Sequence, residues 1–327
     1  MHRHIGLQRL GYGIFVAFVL SLPLFMHDAR NQLFILTNIA VMAIFAMSYD
    51  LLLGYSGIIS FGHVLFFGVG AYVTAIMMKN VSVSIPALLF VLLLTLLITA
   101  FLGWLIGFFT ARLKSHFFAM FTLAIAELAA VLMEKAKGIS GGSDGFSFPV
   151  PSFFRDKLTV AYVALISTLV IFVLLRLFVN SPMGTTIIGI RENEARMRAL
   201  GYPVLRYKVL AVMISGAVAG FAGMLYGVSM RFVSVPSVFG INLTLDALLM
   251  TIVGGAGTLV GPVIGAVLVE LVSQWLQLMA KSVPLLERWM LFFGLAYILV
   301  VLFFPSGILG GLQRLLILWR NRRRKAP

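Results

Sequence analysis

Long apolar runs recur along this chain of 327 residues, and they constrain its fold more than any other feature. Several runs reach the roughly 17 residues that a helix needs to cross about 30 Å of hydrocarbon. The chain is 61% hydrophobic and 11% charged, whereas a soluble domain is about 45–50% apolar and about 25% charged. We therefore predict an all-α polytopic membrane protein.

The hydropathy pattern predicts about ten transmembrane helices in one domain that covers residues 1–327. The helices are expected near residues 7–26, 33–53, 57–78, 84–110, 116–133, 158–179, 209–230, 241–253, 261–280 and 288–305. With the N-terminus in the cytoplasm, sixteen of the 25 basic residues lie on the inner side. The positive-inside rule then favours an N-in/C-in orientation.

The net charge of +14 follows from that rule, so no nucleic acid partner is expected. The basic tail, residues 313–327, can bind membrane lipid, but a role as a topology anchor is favoured. The first span follows Arg3 and Arg9 as a signal peptide would. No small-x-small cleavage site follows it, so an uncleaved helix is expected.

A polar segment, residues 181–208, stands between two long apolar runs. Ser181 and Pro182 are typical of a helix start, since the hydroxyl caps the first turn and proline lacks an N–H that the first turn leaves unused. Asn193 can cap a second short helix that ends at Gly201. Two short helices on the water side of a bundle indicate a docking surface for a partner.

The chain has no G-x-x-x-x-G-K-[ST] motif, and hence no P-loop for ATP. A transporter of this kind uses an ion gradient, acts as a channel or depends on a separate ATPase. The polar segment favours an ATPase, because Ala195 and Ala199 lie one turn apart and form a slim face that can enter a cleft. Glu192 and Glu194 precede Arg198 in that helix, which suits the helix dipole.

Two glycine-rich segments, residues 54–70 and 254–262, are predicted to interrupt helices. Irregular backbone inside a membrane must be satisfied by protein or by a water-filled cavity, so such segments are typical of a translocation path. Close helix packing alone is an equal alternative. The expected path residues are Ser60, His63, Glu127, Gly254, Gly255 and Gly257. Packing remains the favoured role for His63, and a structural role is slightly favoured for Glu127.

Other small and acidic residues have simpler interpretations. Glycines that recur every three or four positions predict one closely packed helix face, formed by Gly216, Gly220, Gly223 and Gly227. An acid precedes each glycine-rich segment, Asp50 in one case and Asp246 in the other, which hints at an internal duplication. No nucleophile–base pair or metal-ligand spacing is present, so we expect no catalytic residue, no metal site and no bound cofactor.

Five sequence motifs, taken together, are specific enough to indicate a protein family. They are S-Y-D-L-L-L-G-Y-S-G-I-I-S-F-G-H at 48–63, F-F-A-M-F-T-L-A-I-A-E at 117–127, K-G-I-S-G-G-S-D-G at 137–145, I-R-E-N-E-A-R-M-R-A-L-G at 190–201 and G-G-A-G-T-L-V-G-P at 254–262. With them the chain resembles the permease subunits of branched-chain amino-acid ABC importers, and in particular the M-type subunit of the Liv system.

This resemblance implies a multi-pass, ten-helix permease with broken helices in the bacterial inner membrane. It also implies a second homologous permease, two ATP-binding-cassette ATPases that use ATP and Mg²⁺, and a periplasmic amino-acid-binding protein. The element that seats in the ATPase would comprise Arg191, Glu192, Asn193, Glu194, Ala195, Arg198, Ala199, Leu200 and Gly201. A periplasmic loop would contain Gly141, Gly142 and Asp144.

The resemblance leaves the substrate open. The same family includes permeases for urea and short amides, and the G-G-S-D-G form at 141–145 is more like the amino-acid branch. An ion-coupled secondary carrier is the alternative from another class. An intramembrane enzyme is disfavoured because the chain lacks a nucleophile–base pair.

Overall fold

The computed structural model describes residues 30–81, 83–110 and 115–280, together with the separate positions 23, 113, 294, 295, 298 and 307. The helices are α1 (Arg30–Asp50), α2 (Val64–Asn80), α3 (Ile85–Thr110), α4 (Ser115–Lys135), α5 (Lys137–Ser140), α6 (Lys157–Val179), α7 (Pro182–Glu192), α8 (Glu194–Ala199), α9 (Val204–Met230), α10 (Val235–Phe239), α11 (Ile241–Gly254) and α12 (Val260–Ala280). A π turn (Leu51–Tyr55), a 3₁₀ turn (Ser152–Phe154) and the strands β1 (Phe146–Ser147) and β2 (Phe232–Val233) complete the described part.

The described elements confirm a polytopic helical membrane protein. They include 7 helical stretches that are long and apolar enough to cross a membrane, and the shorter apolar α2 is an eighth apolar helix. These fall on the eight predicted spans from 33–53 to 261–280. Only position 23 of the predicted span 7–26 and positions 294, 295 and 298 of the span 288–305 are described, and the tail 313–327 lies outside the described residues. The count of ten and the orientation therefore stay predictions.

The long helix α9 lies at the centre of the described bundle and packs against α1, α2 and α3. Its glycine face lies against α2 and α3: a Cβ on Gly216 would stand 2.9 Å from the ring of Phe66, and one on Gly223 would collide with the carbonyl of Phe67. A Cβ on Gly220 would collide with the side chain of Thr99. Small residues allow helices to approach closely in lipid, where no hydrophobic force drives association. The predicted packing face is therefore confirmed.

The first glycine-rich segment does interrupt the helices. After the π turn the chain is non-helical from Ser56 to His63, so α2 begins at Val64 and the predicted start of its span at residue 57 was wrong. The backbone N–H of Val64 donates to the hydroxyl of Thr244 on α11, 3.0 Å away. An orphan N–H of the first turn is thus satisfied by a side chain from the other half of the chain.

The second glycine-rich segment has a different place from the one predicted. Residues 255–259 connect α11 to α12, so this segment joins two helices and does not break one. A break that the sequence reading missed lies at Gly240, whose extended backbone separates α10 from α11. The short α10 lies against α2, where a Cβ on Gly68 would stand 2.6 Å from the ring of Phe239.

The loops lie at two ends of the bundle. Strand β1 pairs with β2, with Phe146 opposite Val233, and the hydroxyl of Tyr72 donates to the carbonyl of Ser140 over 3.2 Å. We call the end of the bundle with β1 and β2 the loop end. Helix α6 begins at the loop end and ends just before α7, so α7 and α8 lie at the opposite end.

Candidate functional site

The polar segment forms the two capped helices that the sequence predicts. The hydroxyl of Ser181 accepts a hydrogen bond from the N–H of Gly184 at 3.3 Å and caps α7. The side chain of Asn193 accepts from the N–H of Arg196 at 2.9 Å and caps α8. Gly201 follows with a φ of 86°, a conformation that favours glycine after a helix.

Side-chain contacts fix α8 to both of its neighbours. Glu194 pairs with Arg198 at 2.5 Å within α8 and with Lys208 of α9 at 2.7 Å. On the other side, Met197 lies against Gly189 of α7, where a Cβ would stand 3.1 Å from the sulfur atom. Helices α7 and α8 and the start of α9 therefore form one mechanical unit.

The outer surface of this unit is exposed and partly apolar. No residue of α8 is buried, and both Ala195 and Ala199 are exposed. Large apolar side chains lie exposed nearby, with Leu200 at 64% and Met183 at 54% of full exposure. A slim helix beside uncovered apolar side chains is typical of a protein interaction surface.

The ion pairs of Glu194 give a first prediction. Partial burial acts to raise the pKa of Glu194, but Lys208 and Arg198 outweigh it and hold the pKa below its ordinary value of 4.5. Because the folded-state pKa is depressed, the stabilisation is present above 4.5 and is lost as the pH falls below it. We expect Glu194→Gln to lower the thermal unfolding temperature of the detergent-solubilised chain at pH about 7, and we expect this difference to shrink as the pH falls below the ordinary pKa of 4.5.

The control is Glu192→Gln, which removes a neighbouring exposed carboxylate at the end of α7. It is expected to leave the unfolding temperature near the wild-type value at both pH values, because surface charges outside a network contribute little. An equal effect of both substitutions would contradict a specific role for the Glu194 pairs.

Arg191 points toward the bundle. Its Nη1 donates a hydrogen bond to the carbonyl of Gly54, at the end of the π turn. Its Cγ would lie 2.9 Å from a Cβ on Gly57, and its Nη1 would lie 3.4 Å from a Cβ on Gly257. Arg191 therefore lies between the two glycine-rich segments, a contact that the sequence reading missed when it placed Arg191 on the ATPase surface.

Asp50 joins the same two segments from inside the bundle. Its side chain is fully buried, with 0% exposure. One carboxylate oxygen accepts from the N–H of Gly257 at 2.6 Å, and the other accepts from the N–H of Leu259 at 3.1 Å. The end of α1 is thereby fixed to the connection between α11 and α12. The only sequence signal was the position of this acid, directly before a glycine-rich segment.

Glycine is required where these segments meet. A Cβ on Gly54 would collide with the Asp50 carboxylate and the backbone of Gly257, and one on Gly254 would collide with the backbone of Gly261. Gly254 and Gly255 are buried, and Gly257 is half-buried. The three predicted path glycines thus lie in a closely packed junction, and their role in a path stays a prediction.

Two other predicted path residues are buried inside the protein. Ser60 is 3% exposed and His63 is fully buried. The Nε2 of His63 lies 2.9 Å from the hydroxyl of Ser48, and its ring stacks on Phe45 with the edge of Phe66 close by. These contacts agree with the packing role favoured for this histidine.

Glu127 has the opposite environment. It is exposed halfway along α4, on the same outward side as Phe117, Met120 and Val131. A charged side chain at this depth is costly in lipid and normally faces water or a polar partner. If Glu127 lines a path, the path runs along the outer side of α4.

The predicted loop is also held by glycines. Gly141 and Gly142 have φ values of 69° and 61°, and the N–H of Val235 donates to the carbonyl of Gly142 at 3.3 Å. Asp144 is exposed. Within the described ranges, no three His, Cys, Asp or Glu side chains stand close enough to hold a metal ion.

Comparisons with known proteins place this chain in a family. The family model described as branched-chain amino acid transport system / permease component matches residues 31–302. The high-affinity branched-chain amino acid transport system permease protein LivM of Salmonella typhimurium is 27% identical, over 86% of this chain and 70% of that protein. No solved structure shows a significant match.

Two further relatives are similar over most of their length. The ribose import permease protein RbsC of Haemophilus influenzae is 27% identical, over 78% of this chain and 83% of the relative. The branched-chain amino acid transport permease protein LivH of Salmonella typhimurium is 25% identical, over 82% of this chain and 91% of the relative. Because the family model covers most of the sequence, the chain belongs to the family of branched-chain amino acid transport system permease components.

Proposed function

We propose that this chain is the transmembrane permease subunit of an ATP-binding-cassette importer that carries branched-chain amino acids across the bacterial inner membrane. The observation that carries the proposal is the unit of α7 and α8, which is exposed outside and joined through Arg191 to the glycine-rich segments inside. The relatives named as branched-chain amino acid permeases support the substrate class.

The proposed assembly contains a second homologous permease, two ATPase subunits and a periplasmic amino-acid-binding protein. The similarity of this chain to both LivM and LivH supports a pair of homologous permeases. ATP and Mg²⁺ would be bound by the ATPase subunits, and this chain would bind no cofactor. The polar segment would then face the cytoplasm.

The contacts suggest how ATPase motion would reach the membrane. Closure of the ATPase pair would displace α8, and the Glu194–Lys208 and Met197–Gly189 contacts would carry α7 and the start of α9 with it. Arg191 would transmit this displacement to Gly54. The Asp50 carboxylate would pass it on to residues 255–259, so that both glycine-rich segments move together.

The outer side of α4 is the best candidate for the wall of the path. Glu127 lies there in an otherwise apolar surface that includes Met120 and Val131. A path between this side and the second permease would provide the carboxylate with water, which lipid does not. Ser60, His63 and the glycines Gly254, Gly255 and Gly257 would then act from behind this wall.

Transport by the complete complex tests the function. We expect proteoliposomes that contain this chain, its partner permease, the ATPases and the binding protein to take up labelled leucine with internal ATP. Uptake should survive a protonophore and stop with an ATPase inhibitor. Uptake driven by an ion gradient would favour a secondary carrier, and preference for urea or ribose over leucine would overturn the substrate class.

The docking surface has its own test. Replacing Ala195 or Ala199 with tryptophan is expected to reduce ATPase assembly and leucine uptake at least about tenfold, because a bulky ring cannot enter a cleft that fits alanine. Leu177→Trp, at an exposed apolar position of α6, is the control and should retain uptake. Normal assembly of the alanine variants would contradict the docking surface.

A further inference from the structure

A cationic cavity lies at the loop end of the bundle, opposite α7 and α8. It has a volume of about 290 Å³ and is lined by Phe34, Thr37, Arg155, Lys157, Val160, Ser229, Met230 and Arg231. This volume is at the lower limit for small-ligand pockets. Three of the eight lining residues are cationic and none is acidic, which is a strong charge bias for one cavity.

Arg231 is held in place before any ligand arrives. It caps α9 with a φ of 56°, and its N–H donates to the carbonyl of Gly227. Its Nη2 donates to the carbonyls of Phe154 and Arg155 at 2.8 and 2.7 Å. Its Nε is buried without a hydrogen-bond partner within the described part of the chain. Arg231 is therefore fixed by backbone carbonyls at the cavity, and its guanidinium supplies a positive charge of the kind that binds phosphate.

The two hydroxyl groups of the cavity already donate to backbone carbonyls, so the cations are the donors available to an anion. Thr37 donates to the carbonyl of Leu33 at 2.8 Å, and Ser229 donates to that of Tyr226 at 2.9 Å. The charged donors come from Arg155, Lys157 and Arg231, and Arg155 and Lys157 are exposed. Asp156 caps α6 through the N–H of Thr159, and even with this acid the neighbourhood has an excess of positive charge.

Exposed apolar side chains border the cavity. Phe34 lines the cavity and is 39% exposed near the start of α1. Helix α6, which begins beside the cavity, has an outward apolar row that includes Val170 and Leu174. A ligand with an anionic head and apolar chains would fit both surfaces, because the cations form charge-assisted hydrogen bonds with a phosphate and the apolar side chains can contact the acyl chains.

We propose that this cavity binds the phosphate of an anionic phospholipid in the adjacent leaflet. The phosphate would contact Arg231 and Arg155, with Lys157 at the entrance, and the acyl chains would lie along Phe34 and the outer side of α6. Because Arg231 also joins α9 to residues 154–155, the lipid would stabilise the packing of α9 against the loop end. This site is independent of the proposed ATPase docking surface.

The test is the thermal unfolding of the full chain in a zwitterionic detergent with added lipid. Short-chain phosphatidylglycerol is expected to raise the unfolding temperature, and phosphatidylcholine or inorganic phosphate at equal concentration is not. In the double variant Arg155→Ala/Lys157→Ala the apparent affinity for phosphatidylglycerol should fall about 30-fold, because each of the two cations is expected to contribute about 1 kcal/mol to binding. The matched control is Lys135→Ala/Lys137→Ala, whose two exposed lysines lie near the same end outside the cavity.

Each result decides the proposal. A retained lipid effect in the control and a lost effect in the cavity variant support the site. Equal lipid effects in both variants would overturn it, and equal stabilisation by inorganic phosphate would overturn the lipid as the source of the anion. In a parallel binding measurement with the periplasmic binding protein, a cavity variant that loses affinity for that protein and keeps the lipid effect would assign the cations to a protein interface and overturn the lipid site.

Discussion

Leucine in place of Asp50 is expected to abolish uptake and to lower the stability of the chain. The carboxylate accepts hydrogen bonds from Gly257 and Leu259 at the buried junction of the two halves. Leucine has the same branching pattern but larger terminal groups and no acceptor, so both backbone N–H groups lose a partner, at about 1–3 kcal/mol each. The measurements are thermal unfolding in detergent and leucine uptake by the reconstituted complex.

Two comparisons separate this role from a general effect of losing an acid. Asp50→Asn keeps one carbonyl oxygen and should retain part of both the stability and the uptake. Asp246→Asn removes the corresponding acid upstream of the second glycine-rich segment, where the side chain is only half-buried. Asp246→Asn should lower the stability and the uptake less than the substitutions of Asp50 do. Wild-type uptake by Asp50→Leu would show that this junction does not matter for transport.

Alanine in place of Arg191 is expected to separate ATP hydrolysis from transport. The substitution removes the bond to the carbonyl of Gly54 and leaves α8 and its exposed surface intact. A hydrogen bond that involves a charged group contributes about 1.5–3 kcal/mol, so uptake should fall at least about tenfold. ATPase assembly and basal ATP hydrolysis by the complex should remain.

The controls use the same helical unit. Arg196→Ala removes one positive charge from α8 without touching Gly54, and it should retain coupled uptake. Arg191→Lys keeps the charge but loses the planar group that reaches the π turn, so it should recover only part of the uptake. If Arg191→Ala instead prevents the ATPases from binding, Arg191 belongs to the docking surface, as the sequence alone suggested.

The parts of this site that depend on neighbouring residues were predictable. The caps at Ser181 and Asn193 and the stop at Gly201 follow from local chemistry, and the structure confirms all three. Apolar runs of sufficient length likewise predicted the eight apolar helical stretches of the described part. These signals are local because helix propagation and capping involve residues only a few positions apart.

The contacts between distant residues were not predictable from the sequence. Asp50 and Gly257 are 207 positions apart, and Arg191 and Gly54 are 137 positions apart. Hydropathy marks Asp50 only as an acid in an apolar run. It cannot show that the partners of the carboxylate are backbone N–H groups, because every residue except proline offers one.

The exposure of individual side chains in the apolar segments was also not predictable from the sequence. The sequence named His63 and Glu127 as path candidates and favoured packing for His63, which is fully buried among aromatic rings, whereas Glu127 lies on the outer side of α4. Glu127 stands in a strongly apolar helix, and hydropathy does not tell which side of such a helix meets lipid, protein or water. Packing decides that.

The bond from the N–H of Val64 to Thr244 has a consequence for biosynthesis. The two residues are 180 positions apart, and a ribosome adds about 5–20 residues per second. The first turn of α2 therefore waits roughly 10–40 s for its partner after it enters the membrane. During that interval this N–H depends on water or on another side chain as its partner.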